Sequence, residues 1–249
     1  NMAFRDLLVD VEKINAETSV IHGIFNNSRH LNHIPLVFDN LTEAPNHSAA
    51  LNVLTRKRIC ETFNVSPGEL IDILAWAMNN PCEPEIITPE QAPVMENTME
   101  KVNLKKIPIP WHYPEDRGRY QSASVIIAQY NGIRNMSFHR QFLRDENHTV
   151  SRFVPRHLRT MTDLAAKEGK NVDIAVINGA DAVVLLAAAM SFTENLDELT
   201  VAAALHKKLH GIPLKLVELS NGIQVPANAE YAMEAKITLE REPETLLNR

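Results

Sequence analysis

Cysteine is nearly absent: the 249 residues contain only Cys60 and Cys82, too few for a disulfide framework or a cysteine-based zinc site. Glycine is scarce as well. Its eight copies stand singly, which removes Gly-rich phosphate loops of the dinucleotide and nucleoside-triphosphate kinds. Neither a Gly-x-Ser-x-Gly elbow nor a His-Glu-x-x-His pair occurs. Positive charge is not in excess, since 25 Lys and Arg face 31 Asp and Glu for a net −6. That argues against a general binder of phosphate backbones and leaves room only for a local basic pocket. The most apolar stretch, 172–190, is interrupted by Asp173, Asn178, Gly179 and Asp181, so no membrane span is expected there. The opening Asn1-Met-Ala-Phe-Arg5 has no basic-then-apolar leader. A cytoplasmic protein with no nucleic-acid partner is expected.

What is present is ordinary for a globular chain: 45% hydrophobic and 22% charged residues, with length for one large domain or two smaller ones. Phe4, Leu7, Leu8 and Val11 share a helical face, which predicts an amphipathic helix over 3–15. Ile34–Phe38 reads as a strand, and 48–62 and 67–79 as helices, the second opened by Ser66-Pro67. Residues 80–94 hold four of the fourteen prolines and read as a linker. Beyond it, Ser122–Tyr130 and Arg134–Leu143 read as strands joined by an Asn131-Gly132 hairpin turn, with a third strand near 150–154. A helix over 155–168, a strand over 172–177, helices over 181–190 and 196–210, and strands over 213–219 and 229–240 complete the pattern. Hairpin strands with helices inserted between them predict an α+β fold with a mainly antiparallel sheet or barrel.

Three segments concentrate reactive side chains. On the strand Arg134–Arg140, alternation puts Asn135, Ser137 and His139 on one face and Arg134, Met136, Phe138 and Arg140 on the other. Arg152, Arg156, His157 and Arg159 gather at a strand-to-helix junction, where a helix N-terminus with neighbouring cations suits a phosphate. The third segment is Val225-Pro-Ala-Asn-Ala-Glu230, followed by Glu240, Glu242 and Glu244.

Together with Ile107-Pro-Ile-Pro-Trp-His-Tyr-Pro-Glu-Asp116, these segments resemble the UbiD-type decarboxylases, the family that uses prenylated FMN. The matching pieces are Asn135-x-Ser137-x-x-Arg140, Arg156-His157-Leu158, Val225–Glu230 with Glu234 beyond, and Pro243-Glu244, in the family's order from Phe4 to Glu244. The resemblance implies a small N-terminal α/β domain with its proline-rich linker (1–105). An FMN-binding, split-barrel-like central domain with inserted helices follows (106–249). The family's pattern runs on from Pro-Glu into Gly-Pro-Phe-Gly and a second acid, whereas Thr245-Leu-Leu-Asn-Arg249 follows here. The family's C-terminal part therefore has no counterpart in this sequence.

Carried over by position, Asn135, His157 and Glu198 would hold Mn2+ or Mg2+ against the flavin phosphate, an oxygen and imidazole set that suits these ions. A monovalent cation such as K+ would sit close by. Asn135, Ser137, Phe138, His139, Arg140, Arg156 and His157 would form the cofactor-binding set. Arg140 would orient the leaving carboxylate bidentately and Glu244 would return a proton to carbon, with the flavin as electron sink. The implied activity is reversible, non-oxidative decarboxylation of an aromatic or α,β-unsaturated acid. Hydroxybenzoates, cinnamates, polyprenyl hydroxybenzoates and anhydromevalonate phosphate are the family's substrates. A flavin prenyltransferase would supply the cofactor, and homo-oligomers are the family habit. The alternatives are a flavin-binding member or subunit without decarboxylase activity, and a plain FMN oxidoreductase of split-barrel type.

Each of these residues also has a plainer reading. Asn195-Leu-Asp-Glu198 fits a capping box. His157 fits an ordinary helix start, Arg134 and Arg140 paired strand charges, and Arg152, Arg156 and Arg159 a solvated basic face. Glu240, Glu242 and Glu244 fit an exposed tail. His206 and His210, beside Lys207 and Lys208, read as solvated histidines at a helix C-terminus.

Overall fold

The computed structural model describes residues 4–28, 34–191 and 196–245. The chain opens on a 3-10 turn, Phe4–Leu8, and then a strand, β1 (Glu12–Ile14), where an amphipathic helix was predicted. Leu7 is buried in the main core as that pattern implied, but Asp10 takes φ 58°, which no right-handed helix accommodates. α1 (Gly23–Ser28) follows, then β2 (Leu36–Phe38) and β3 (Ala49–Leu51). β2 pairs in parallel with β1 and antiparallel with β3, over a small core of Val20, Ile24, Leu36, Phe38, Leu41 and Ala44. β3 occupies the start of the predicted 48–62 helix. The helix itself, α2 (Arg56–Phe63), begins only where the Thr55 side chain accepts from Arg58 N at 3.3 Å. α3 (Pro67–Asn79) has the predicted bounds, fixed by a reciprocal capping box between Ser66 and Glu69.

The proline-rich stretch carries a strand, β4 (Glu85–Ile87). Then come β5 (Tyr120–Gln121), β6 (Val125–Tyr130), β7 (Ile133–Phe138), β8 (Gln141–Leu143) and β9 (Thr149–Ser151). α4 (His157–Lys167), β10 (Val172–Asn178), α5 (Ala182–Ala189) and α6 (Glu198–His210) follow. The described chain closes with β11 (Lys215–Glu218), β12 (Gln224–Pro226) and β13 (Tyr231–Ile237). The fold is α+β. Its central sheet, in the order β13-β10-β6-β7, is antiparallel throughout. β4 joins β11 in parallel, and β12 joins it antiparallel, in a second sheet.

Alternate residues of β6 and β10 feed two cores. Val125, Ile127, Ala175 and Ile177 meet α5 and α6, while Ile126, Ala128, Ile174 and Val176 meet Leu158, Met161 and Ala165 of α4. Strand periodicity thus sandwiches the sheet between helical layers. Asn131 and Gly132 both take positive φ, 50° and 78°, the turn that matches the twist of a two-residue hairpin.

The returning strand does not run unbroken to Leu143. It leaves the central sheet after Phe138, and β8 belongs to a separate sheet with β5 and β9. Ser124 pins this corner: its carbonyl accepts from His139 N at 3.3 Å, its hydroxyl donates to His139 O at 3.1 Å, and Gln141 Nε2 donates to its Oγ at 2.8 Å. His206 also departs from the sequence reading. It is buried with the apolar face of α6 rather than solvated, and His210 is half-buried.

Candidate active site

Two groups of side chains flank the corner between β7 and β8. The first is a polar row on β7. Met136 and Phe138 pack into the main core, so alternation turns Asn135, Ser137 and His139 to the opposite face. The row is linked internally. Ser137 Oγ donates to Asn135 Oδ1 at 3.1 Å and lies 2.9 Å from His139 Nε2. The single hydroxyl proton is already given to Asn135, so Nε2 of His139 is the donor in the second contact, which assigns its tautomer. Burial pushes the His139 imidazole down to about 4, so the ring is neutral at physiological pH. Its edge rests on Phe153, with ring centres 5.0 Å apart.

Glu198 terminates the row. Its Oε1 accepts from Asn135 Nδ2 and its Oε2 from Met136 N, both at 2.9 Å. β7 is the edge strand, which leaves that backbone N–H available. The capping-box reading of Glu198 is not what the structure shows. Asp197 caps α6, its Oδ1 accepting from Leu199 N at 2.9 Å, and Glu198 is the first helical residue; Asn195 lies outside the described residues. The Glu198 carboxyl is thereby released from capping and turned inward. At 4% exposure, burial pushes its pKa up to about 7; Asp197 adds to the rise, and the Met136 and Asn135 hydrogen bonds oppose it. Arg134 belongs to this scaffold: it donates to Asp197 Oδ2 and Gln224 Oε1, both at 2.8 Å.

The second group is Arg140 with Glu244. The guanidinium gives Nε–H to Glu244 Oε1 at 2.7 Å and Nη2–H to Oε2 at 2.8 Å, a bidentate pair of the strong kind. The acid is buried and the base open, with side-chain exposures of 6% and 59%. Tyr120 OH donates to the Glu244 carbonyl at 3.0 Å, and its ring lies 5.3 Å beneath the Arg140 guanidinium. The tail leading to Glu244 is not a free acidic tail. Arg117 bonds to Glu242 and to the Pro243 carbonyl, and Arg144 lies 3.4 Å from Glu242 and 3.6 Å from Glu240. His112 completes this side, its Nε2 3.0 Å from Ser122 Oγ. Burial holds its imidazole below the ordinary value; Asp116 pulls the other way, and the Arg140 charge adds to the fall.

Arg156 and His157 make no hydrogen bond to either group among the described residues. Arg156 precedes α4 and reaches Ser191 Oγ at 3.1 Å. His157, half-buried, opens α4, and its side chain has no hydrogen-bond partner among the described residues. Sequence reasoning missed Arg117, Tyr120 and His112. The one signal for Arg117 was the run of acids at alternate positions 240, 242 and 244, which needed cations opposite.

As a donor set, Asn135 and Glu198 fit a hard divalent cation. Reversing the Asn135 amide would bring its Oδ1 against Glu198 Oε1, two acceptors facing one another, an arrangement that a cation relieves.

Residues 85–246 match the family described as "UbiD: 3-octaprenyl-4-hydroxybenzoate carboxy-lyase Rift-related domain". An anhydromevalonate phosphate decarboxylase of Methanosarcina mazei is 30% identical over 205 residues, 82% of this chain and 46% of that protein. A pyrrole-2-carboxylic acid decarboxylase of Pseudomonas aeruginosa is 30% identical over 182 residues, 70% of this chain and 36% of that protein. Among solved structures, an evolved dimeric form of the UbiD-class enzyme HmfF from Pelotomaculum thermopropionicum, in complex with prFMN, matches with a TM-score of 0.90 at 27% identity. That match covers 97% of this chain and 59% of the HmfF chain. The architecture is thus that of the UbiD-class enzymes. The chain belongs to the UbiD family, and it spans about half the length of the curated relatives it matches.

Proposed function

We propose that this chain acts as a UbiD-type carboxy-lyase, removing CO2 reversibly and without net oxidation from an aromatic or α,β-unsaturated carboxylic acid. The observation that carries the reading is the Arg140–Glu244 pair beside the Asn135–Ser137–His139 row. The pair uses the Nε and one Nη2 proton of the guanidinium. The opposite Nη1/Nη2 edge has no hydrogen-bond partner among the described residues and can take a second, incoming carboxylate bidentately. Arg140 then orients the carboxylate that leaves as CO2. Glu244, an ionised acceptor while both its oxygens face Arg140, would take up a solvent proton once the incoming carboxylate shares the guanidinium and pass it to the carbon that lost CO2, so that RCOO− and H+ become RH and CO2.

The decarboxylated sp² carbon needs an electron sink that no side chain provides, and bound prenylated FMN would supply it. Asn135, Ser137, the backbone of Phe138 and His139, Arg140, Arg156 and His157 are the residues we assign to holding it. Asn135, Glu198 and His157 would bind Mn2+ or Mg2+ beside its phosphate, with K+ nearby; the buried carboxyl of Glu198 is suited to losing its proton on meeting a cation. In this reading residues 106–249 form the flavin-binding, split-barrel-like domain and residues 1–105 a smaller α/β domain. A flavin prenyltransferase supplies the cofactor, the enzyme works as a homo-oligomer, and its site of action is the cytoplasm. Anhydromevalonate phosphate heads the substrate panel because several of the relatives bear that decarboxylase name.

The test is reconstitution with prenylated FMN and Mn2+, followed by CO2 release from a panel of anhydromevalonate phosphate, pyrrole-2-carboxylate, hydroxybenzoates and cinnamates. Release from at least one acid is expected. Flavin binding with no release from any of them would instead identify a flavin-binding subunit.

A further inference from the structure

The far end of α6 carries chemistry that the proposed reaction does not use. His206 and His210 are four residues apart, so both rings leave one side of the helix, and their centres are 4.8 Å apart. Opposite them is Asp181, which caps α5. Its Oδ1 accepts from Val183 N at 2.8 Å, whereas its Oδ2 is buried with no hydrogen-bond partner among the described residues. Asp181 and His206 are 3% and 4% exposed. His206 Nδ1 lies 2.9 Å from the Ile212 carbonyl, which can only accept, so the neutral ring carries its proton there. Nε2 is left as a bare lone pair, 3.8 Å from Asp181 Oδ2. His210 Nε2 is also buried without a hydrogen-bond partner among the described residues.

A carboxylate oxygen and one nitrogen from each imidazole lie within 4.8 Å of one another. Unsatisfied buried polar atoms are costly singly and worse when they converge. Here a carboxylate oxygen and one nitrogen of each ring gather into such a set. We propose that Asp181, His206 and His210 form a binding site for a divalent cation of the zinc class. The i, i+4 histidine pair plus a carboxylate is a ligand set such ions take, with bonds of about 2.0–2.2 Å. On a tetrahedral ion those bonds separate two ligand atoms by roughly 3.4 Å. The Asp181–His206 pair at 3.8 Å therefore needs only a small contraction. The Val183 N–H and the Ile212 carbonyl already hold the other atom of Asp181 and of His206, as outer partners do in metal sites. A cavity bounded by Pro213, Leu214 and Asn228 opens beside Asp181 and His206, where a water could complete the coordination.

The site is distinct from the Glu198 end of α6: eight residues of helix place His206 about 12 Å away along the axis. Burial raises the Asp181 carboxyl and lowers the His210 imidazole, with Asp6 adding negative charge near both. Binding would accordingly release a proton and tighten with rising pH. An ion here would tie the start of α5 to the end of α6, a structural role.

The test is Zn2+ binding to the full chain after chelator treatment and dialysis, followed by calorimetry and metal analysis. Glu198→Gln should retain one tight Zn2+, as the unmodified chain does. His210→Gln should bind it at least tenfold more weakly, and Co2+ should give a visible four-coordinate spectrum that His210→Gln lacks. Asp181→Asn, which keeps the α5 cap and the side-chain volume, provides a second reading: Zn2+ should raise the melting temperature of the unmodified chain and leave that of Asp181→Asn unchanged. Equal Zn2+ affinity in the unmodified chain and His210→Gln, or an equal Zn2+-induced melting shift in Asp181→Asn, would overturn the proposal.

Discussion

Replacing Glu198 with Gln should stabilise the metal-free protein at pH 8. Burial raises this carboxyl from an ordinary 4.5 to about 7. A raised carboxylate pKa means that the folded chain holds the proton more tightly than the unfolded one. Its contribution is therefore fully present below about pH 4.5 and is lost as pH rises through 7. A rise from 4.5 to about 7 corresponds to roughly 3 kcal/mol by linkage. Glutamine carries no charge to desolvate, but it keeps a single acceptor for Met136 N, so Asn135 must turn its amide and Ser137 loses a partner. One such hydrogen bond is worth about 1 kcal/mol. The net expectation is about 2 kcal/mol in favour of Glu198→Gln at pH 8, or about 4–8 °C in melting temperature for a chain of this length. At pH 5 the advantage should vanish. The assay is thermal or urea denaturation of both proteins with EDTA at pH 5 and pH 8, and their difference isolates Glu198 from the histidines. Added Mn2+ should raise the parent and leave Glu198→Gln unmoved. A Glu198→Gln protein less stable than the parent at pH 8, or a gap that does not change with pH, would show that the Glu198 carboxyl is not raised by burial.

Other outcomes follow from the same geometry. Arg140→Lys keeps the charge but loses the bidentate fork, so CO2 release from the flavin-loaded protein should fall at least a hundredfold, far more than flavin binding read by absorbance. His139 should show no imidazole titration between pH 5 and 8 by NMR, since burial holds it at about 4. Asp197→Ala removes the α6 cap and frees Arg134, and should lower unfolding stability by about 1–2 kcal/mol in denaturant titrations. Ser124→Ala should loosen the corner at His139–Arg140 and cost about 1–2 kcal/mol, with faster amide exchange at His139.

How much of this was legible in the sequence depended on distance along the chain. α3 and the Asn131-Gly132 turn were read closely because their determinants are local: a Ser66–Glu69 box and two positive φ angles. β4 and β12 were not read. Each is three residues long and exists because β11 lies beside it. The opening helix failed because apolar spacing alone cannot show that Leu7 anchors a 3-10 turn before a strand. In the site, the family resemblance paired Arg140 with Glu244, 104 residues apart, and the structure brings them into contact. Arg117 and Tyr120, which hold the tail carrying Glu244, lie over a hundred residues away from it and belong to no motif. The capping role was misassigned by two residues: Asp197 takes it in place of Asn195, and Glu198 is left to face β7.

The most direct measurement is proton return at the decarboxylated carbon. The reconstituted protein, carrying prenylated FMN and Mn2+, is run on its best acid in D2O and the product is read by NMR. One deuterium is expected at the carbon that lost the carboxyl group, together with CO2 in equal amount, and neither with Arg140→Ala. Product formed equally well by Arg140→Ala, or no product from any acid with the flavin bound, would contradict that expectation.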